Sequence, residues 1–140
     1  MKKTLVGIFL TLGIALAVHA GTGPIVEGIV VTDNPDGSRT VEGSLVGVRF
    51  TDDDTQHIGC SVSSNTGAAS RVICAARDLN EEIHFCFSFD PAMVETAKMM
   101  SPYSFITYTY DPDLPECLNL LASVRSFHIP DKDTGKTKGK

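Results

Sequence analysis

Four cysteines constrain this chain more than any other feature of its sequence. They are Cys60, Cys74, Cys86 and Cys117, and the intervals between them are 14, 12 and 31 positions. An even number of cysteines in an exported chain favours a disulfide framework, because exported proteins fold in an oxidising environment. Zinc sites usually draw their ligands from close pairs such as C-x-x-C, which this sequence lacks, so disulfides are favoured over a metal site or free thiols.

The amino terminus has the pattern of a secretory signal peptide. Lys2 and Lys3 form a basic start, an apolar stretch runs to Val18, and Ala20 is the small residue expected before a cleavage site. We therefore predict cleavage before Gly21 and a periplasmic or secreted protein. A membrane anchor is the alternative, but the apolar stretch is short for a bilayer span. No membrane association is expected after cleavage.

The remaining chain is predicted to form one acidic domain. The sequence divides into a signal peptide at 1–20, a single β-rich domain at 21–130 and a disordered, lysine-rich tail at 131–140. Removal of Lys2 and Lys3 with the signal peptide takes the formal net charge from -5 to -7. An acidic domain is poorly suited to phosphate backbones, so nucleic-acid binding is not expected.

Short apolar runs separated by turn-like segments predict a mainly β, α+β fold. The predicted elements are a hairpin from 25–31 and 39–50, a three-stranded meander over 58–89, a helix that begins after Asp90, and strands at 103–110 and 117–129. This order fits an antiparallel sheet or a small OB-like barrel with one short helix, in either case stapled by disulfides. The two architectures remain open at this point.

Alternation along the strands assigns side chains to faces and favours one disulfide pairing. The apolar face of the last meander strand consists of Ile83, Phe85, Phe87 and Phe89, and we predict that it packs in the core. Cys86 then lies on the outer, more polar side of its strand, as does Cys117. Cys60 and Cys74 both lie among apolar neighbours. Four cysteines allow three pairings, and the shared faces favour Cys60–Cys74 with Cys86–Cys117.

No catalytic or metal-binding motif is recognisable in the chain. His57, His84 and His128 are isolated, and neither G-x-S-x-G nor H-E-x-x-H occurs. The acidic stretch 51–56 lacks the spacing of a calcium loop and is predicted to be a solvated loop. We therefore predict no catalytic residue, no metal and no cofactor.

The aromatic strand at 103–110 provides a candidate ligand face. The residues concerned are Tyr103, Phe105, Tyr108 and Tyr110. Alternation places Ile106 with Tyr108 and Tyr110 on one face, and Tyr103 with Phe105 on the other. One face is predicted to pack against the phenylalanines of the meander. The other either presents aromatic rings to a ligand or, as we favour, is covered by the helix.

The meander also carries a family resemblance. The pattern GCSV at 59–62, VIC at 72–74, ARD at 76–78 and CFS at 86–88, followed by Asp90-Pro91, resembles uncharacterised small exported bacterial proteins. The later Cys117 completes the pattern. The resemblance implies export and disulfides but no activity.

The sequence therefore predicts a non-enzymatic binding or interaction module, with an unknown protein or a small molecule as its ligand. The alternative is a small hydrolase-like or redox enzyme whose site is assembled only by the fold. A histidine that meets a serine or carboxylate in a cleft would favour the enzyme. The oligomeric state is not predictable from the sequence.

Overall fold

The computed structural model describes residues 28–125, which form seven strands and two helices. The elements are β1 (Ile29–Asp33), β2 (Arg39–Ser44), α1 (Leu45–Arg49), β3 (His57–Ser63), β4 (Arg71–Arg77), β5 (Ile83–Ser88), α2 (Pro91–Lys98), β6 (Phe105–Tyr110) and β7 (Cys117–Ser123). The strands form two antiparallel sheets, in the orders β1-β2-β6-β7 and β3-β4-β5. The mainly β fold class is confirmed, and within the described residues the strands do not close into a barrel. The predicted signal peptide at 1–20 and tail at 131–140 lie outside these residues.

The first hairpin forms as predicted around a proline-glycine turn. Asn34 accepts a backbone hydrogen bond from Gly37 at 3.0 Å, and Gly37 has a φ of 86°, which glycine adopts without steric cost. Pro35 stands between them, where its fixed φ favours the reversal. The strands on either side of this turn, β1 and β2, pair from Ile29 with Gly43 to Asp33 with Arg39.

The predicted strand at 39–50 is wrong beyond residue 44. β2 ends at Ser44, whose side chain accepts a hydrogen bond from the Gly47 amide at 3.1 Å and so caps the short helix α1. Val46 and Val48 of α1 are buried. Valines two positions apart are typical of a strand, but the Ser44 cap begins a helical turn here.

The acidic loop at 51–56 is built around one carboxylate. Asp53 accepts hydrogen bonds from the backbone amides of Thr55 and Gln56 at 2.9 and 2.7 Å. It also accepts one from the Gln56 side chain at 2.7 Å, and together these bonds hold the pKa of Asp53 below its usual range. Gln56 in turn accepts a hydrogen bond from the Ile29 amide at 2.8 Å. The loop is therefore tied to β1, while Asp52 and Asp54 are exposed.

The two sheets share one core, which the helix α2 closes at one side. The core consists of Val41, Val48, Ile58, Val72, Cys74, Ala76, Cys86, Val94, Ile106, Tyr108, Tyr110, Cys117 and Leu120. The predicted helix after Asp90 is confirmed: the Asp90 side chain accepts a hydrogen bond from the Ala92 amide at 2.7 Å, and Pro91 occupies the first turn. Val94 is the buried residue of this helix.

β5 faces the opposite way from the prediction. His84, Cys86 and Ser88 are buried. The residues predicted to lie in the core are exposed instead, namely Ile83, Phe85, Phe87 and Phe89. A strand has a period of two, so placing one residue inward places all its alternate neighbours inward as well. Cys86 must reach both the core and Cys117, and this requirement overrides the apolar pattern.

The disulfides join Cys60 to Cys74 and Cys86 to Cys117, which is the pairing that the sequence favoured. The prediction that Cys86 and Cys117 lie on the outer, more polar side of their strands is wrong, because both are buried. Register changes between Thr109 and Tyr110, so that Leu118 is an extra residue and Cys117 turns inward. The Cys86–Cys117 bond therefore links the two sheets. Among residues 28–125, no helix is long and apolar enough to cross a membrane.

Candidate functional site

The outer side of β4 and β5 is apolar, with half-buried side chains on β4 and exposed ones on β5. We call it the aromatic face; its members are Ile73, Ala75, Ile83, Phe85, Phe87 and Phe89. The exposed fractions are 64% for Ile83, 47% for Phe85, 36% for Phe87 and 52% for Phe89. Full burial of such a side chain contributes about 1.5–3 kcal/mol. Because these side chains are only partly buried, folding gains only part of that stabilisation. Contiguous exposed apolar patches of this kind mark interaction sites.

On the aromatic face, the phenylalanine side chains form a ridge. The small residues Ala75 and Gly59 beside them form a lower area, which we call the floor. Strand register places Phe85 next to Ala75, and Ala75 next to Gly59 of β3. A Cβ atom built on Gly59 would meet nothing within 4 Å, so the space above this position is open. Phe87 and Phe89 form the other half of the ridge, with their rings edge to face at a centroid distance of 6.0 Å. A partner can therefore lie across the floor and contact the rings from the side.

Two arginines lie at the ends of this face. Arg71 and Arg77 are the first and last residues of β4 and share the alternation of Ile73. Arg77 forms an ion pair with Glu81 at 3.1 Å. Arg71 is exposed and makes no ion pair within residues 28–125. The apolar centre is thus flanked by positive charge, which is least compensated at the Arg71 end.

The described surface has shallow depressions, and two of them are relevant here. One, of about 250 Å³, lies at the end of the aromatic face and is lined by Phe89, Ser70, Val94 and Lys98 among others. The other, of about 220 Å³, lies between the first hairpin turn and the loop before β7, beside Asp36 and Asp111. Neither is lined by a histidine.

Behind β5 lies a buried polar cluster centred on His84, which is 1% exposed. Its Nδ1 atom is 3.1 Å from the Tyr110 hydroxyl, and its Nε2 atom is 3.5 Å from Asp78 Oδ2. Tyr108 donates a hydrogen bond from its hydroxyl to the His84 carbonyl oxygen at 2.7 Å. The imidazole therefore has a partner on each ring nitrogen, as a buried polar side chain requires.

Hydrogen bonding and burial perturb the titrating groups of the cluster in opposite directions. Burial acts to raise the pKa of Asp78, but hydrogen bonds from the Glu82 amide, His84 and the Asn80 amide together hold that pKa below its usual range. Burial raises the pKa of Tyr108, and it also raises the pKa of Tyr110, where Arg39 partly offsets the effect. The cluster thus holds a carboxylate and two neutral phenols.

An ion-pair network reaches this cluster from the surface. Arg39 contacts Asp33 at 2.6 Å and Glu82 at 2.9 Å. Asp78, Glu82 and His84 offer three possible metal-ligand atoms that lie within 4.8 Å of one another. Glu82 is already balanced by the Arg39 guanidinium, and both His84 nitrogens have protein partners. The arrangement therefore works as a closed hydrogen-bond network.

The predicted site residues are dispersed by the fold. His57 is exposed at the start of β3, and His128 lies outside the described residues. His84 alternates with Cys86, so the predicted facing of β5 would place it on the outer side, but it is buried.

The candidate ligand face is divided between two environments. Tyr108 and Tyr110 are buried against the polar cluster, whereas Tyr103 is exposed and Phe105 is half-buried. The prediction that one face of this strand packs against the phenylalanines of the meander is therefore wrong, because those phenylalanines point away from the core.

Sequence reasoning missed Asp78 and Arg39 as partners in the polar cluster. The one available signal was the run Asp78-Leu79-Asn80, in which an aspartate accepts the amide two residues later and so forms a tight turn. No signal pointed to Arg39, which is 43 positions from Glu82. No protein-family model, curated protein or solved structure matches this chain. The aromatic face and the polar cluster are therefore the features of the molecule that bear on its function.

Proposed function

We propose that this protein is an exported, non-enzymatic binding module that holds a protein partner on its aromatic face. The observation that carries the proposal is the exposure of Ile83, Phe85 and Phe87 on β5, and of Phe89 directly after it, in a disulfide-linked sheet. Cores of protein interfaces are enriched in aromatic residues and depleted of charge. The disulfides and the predicted signal peptide support a location in the periplasm or outside the cell.

The shape and charge of the face define the partner's chemistry. Small molecules bind in concave cavities, whereas an open ridge and floor suit a segment of another protein. Arg71 and Arg77 flank the apolar centre, so the partner should carry an apolar segment with carboxylates beside it. Both arginines lie on β4, the middle strand. Two copies stacked face to face about this strand would oppose arginine to arginine, which disfavours self-association.

The polar cluster gives less support to the alternative of an enzyme. A general base must come within hydrogen-bond reach of its substrate. His84 is 1% exposed and lines neither surface depression, and its nearest acidic neighbour Asp78 is buried as well. We assign the cluster a structural role, in which it fixes β5 with the phenylalanines outward.

Site-specific photo-crosslinking tests the proposal. Phe85 is replaced by benzoylphenylalanine in the full chain, expressed in its native host, and the exported fraction is irradiated. The matched control carries the same crosslinker at Leu121, which is 53% exposed on the other sheet. We expect one discrete adduct with another protein from position 85 and none from position 121.

A second substitution makes the test specific for the face. Gly59→Gln adds a side chain in open space above the floor, without a steric clash in the fold. This change should abolish the adduct, and Arg71→Glu should weaken it by at least about tenfold if one flanking ion pair is lost. An adduct that survives Gly59→Gln, or one made of two copies of this chain, would overturn the proposal.

A further inference from the structure

The four cysteines lie in one row across the strands. Strand register pairs Cys60 of β3 with Cys74 of β4, and Cys74 with Cys86 of β5. Cys86 is bonded to Cys117 of β7, at a Cα–Cα distance of 5.0 Å. The two disulfides are therefore adjacent along this row, and Cys74 of one is the cross-strand partner of Cys86 of the other.

Access to this row is confined to one end. Cys74 and Cys86 are 0% exposed, and Cys117 is 3% exposed. Cys60 is only partly buried and belongs to β3, an outer strand of its sheet. A thiolate attacks a disulfide along the sulfur–sulfur axis, from the side opposite the leaving sulfur. In the Cys60–Cys74 bond, Cys60 is the cysteine on the outer strand β3, and Cys74 lies behind it on the middle strand.

We propose that the four cysteines form a thiol–disulfide exchange relay with Cys60 as its entry. In the first step, the thiolate of an external low-molecular-weight thiol attacks Cys60 Sγ, and the Cys60–Cys74 bond breaks. A mixed disulfide forms on Cys60, and Cys74 leaves as a thiolate with the bonding electron pair.

In the second step, the Cys74 thiolate attacks Cys86 Sγ, and the Cys86–Cys117 bond breaks. Directly paired residues of an antiparallel ladder have Cβ atoms about 4.5–5.5 Å apart, close to the separation that a disulfide requires. Cys117 leaves on the far side of Cys86 and takes up a proton. A second external thiol then resolves the mixed disulfide on Cys60.

The overall reaction oxidises two external thiols to one disulfide and leaves the protein with a single new bond, Cys74–Cys86. The bond that links the two sheets is thereby opened, although neither of its own sulfurs is accessible. A reducing thiol at the edge of β3 thus acts on the junction between β5 and β7.

Partial reduction of the wild-type protein tests the relay. The native protein is incubated with a limiting amount of reduced glutathione, quenched with acid, alkylated and mapped by mass spectrometry without reduction. We expect the main species with one remaining internal bond to contain Cys74–Cys86, with Cys117 alkylated and Cys60 alkylated or joined to glutathione. A main species that retains Cys86–Cys117 and has Cys74 alkylated would overturn the proposal.

Two single substitutions provide a matched pair. Cys60→Ser leaves Cys74 free beside Cys86, so we expect loss of the Cys86–Cys117 peptide and appearance of Cys74–Cys86. Cys74→Ser leaves Cys60 free, one strand further from Cys86, and should retain Cys86–Cys117. Identical maps from the two variants would contradict the relay, and the wild-type experiment decides the matter if either variant does not fold.

Discussion

His84 shows at the scale of single residues how a polar side chain becomes part of the core. Removing a polar group from water is unfavourable unless it gains hydrogen bonds. Tyr110 and Asp78 supply partners to its two ring nitrogens, and Tyr108 supplies one to its carbonyl oxygen. The two tyrosine bonds join β5 to β6 of the other sheet, so they help to fix which side of β5 faces inward.

The Tyr108 hydroxyl is the simplest part of this cluster to test. Tyr108→Phe removes the 2.7 Å hydrogen bond to His84 without changing the ring. We expect the free energy of unfolding to fall by about 0.5–1.5 kcal/mol, the net value of a typical hydrogen bond. Tyr103→Phe, at an exposed tyrosine, is the control and should change it by less than about 0.5 kcal/mol. Urea unfolding measures both, and equal losses would refute the role of the Tyr108 hydroxyl.

Asp78 should make stability depend on pH in the acid range. Its pKa in the fold is lower than the usual value of 3.8, so its ionised form is stabilised by folding. This contribution is present above the unfolded-state pKa and is lost as pH falls through the lower folded pKa. Urea unfolding between pH 7 and pH 2 should therefore show a smaller acid-induced loss for Asp78→Asn than for the wild type. Parallel pH profiles would contradict this expectation.

β5 shows at the scale of elements what sequence patterns can and cannot decide. The Asp90 cap and the turn at Gly37 depend on a few adjacent residues, so they were predictable. Alternation also predicted the disulfide pairing, although it placed Cys86 and Cys117 on the wrong side of their strands. The facing of β5 depends on Cys117, which follows Cys86 by 31 positions, and on the polar cluster. Local hydrophobicity gave the opposite answer.

The same distinction between local and long-range information applies to the candidate site. Alternation correctly grouped Ile83 with Phe85 and correctly separated Tyr108 from Phe105, because a strand's period of two holds whichever side is buried. Which group faces solvent depends on long-range partners that no local pattern contains. A departure of this kind, in which apolar residues stay outside, is expected where a surface serves a function.

A pair of substitutions separates the aromatic face from the core. Phe85→Thr keeps a residue that favours strands and truncates a ring that is 47% exposed, so the free energy of unfolding should fall by only about 1 kcal/mol. Val72→Ala removes two buried methyl groups at a position that is 0% exposed and should lower it by about 2 kcal/mol. Denaturant unfolding compares the two, and a larger loss for Phe85→Thr would mean that its ring is buried.

The two sheets meet, at the scale of the whole molecule, through a shared core and one covalent bond. Cys86–Cys117 joins β5 to β7, and a hydrogen bond from the Phe87 amide to the Pro115 carbonyl at 2.9 Å lies beside it. Cys60–Cys74 links neighbouring strands of one sheet that are already paired. The Cys86–Cys117 bond therefore restrains the arrangement of the two sheets, whereas the Cys60–Cys74 bond restrains only the hairpin of β3 and β4.

Removing each bond should reflect this difference. In the chain-entropy account, a loop of 14 positions is worth about 3 kcal/mol and one of 31 positions about 4 kcal/mol. We expect Cys86→Ser with Cys117→Ser to destabilise the protein more than Cys60→Ser with Cys74→Ser. Thermal unfolding of the two double variants measures the order, and the reverse order would show that the sheet junction does not depend on its disulfide.

Hydroxyl-radical footprinting of the purified monomer, read by mass spectrometry, tests the outward facing of β5 most directly. Phe85 and Phe89 should be oxidised at rates near that of Phe50, which is 60% exposed. Tyr108 and Tyr110 should be protected. Protection of Phe85 and Phe89 in the monomer would contradict the aromatic face and, with it, the binding function proposed for it.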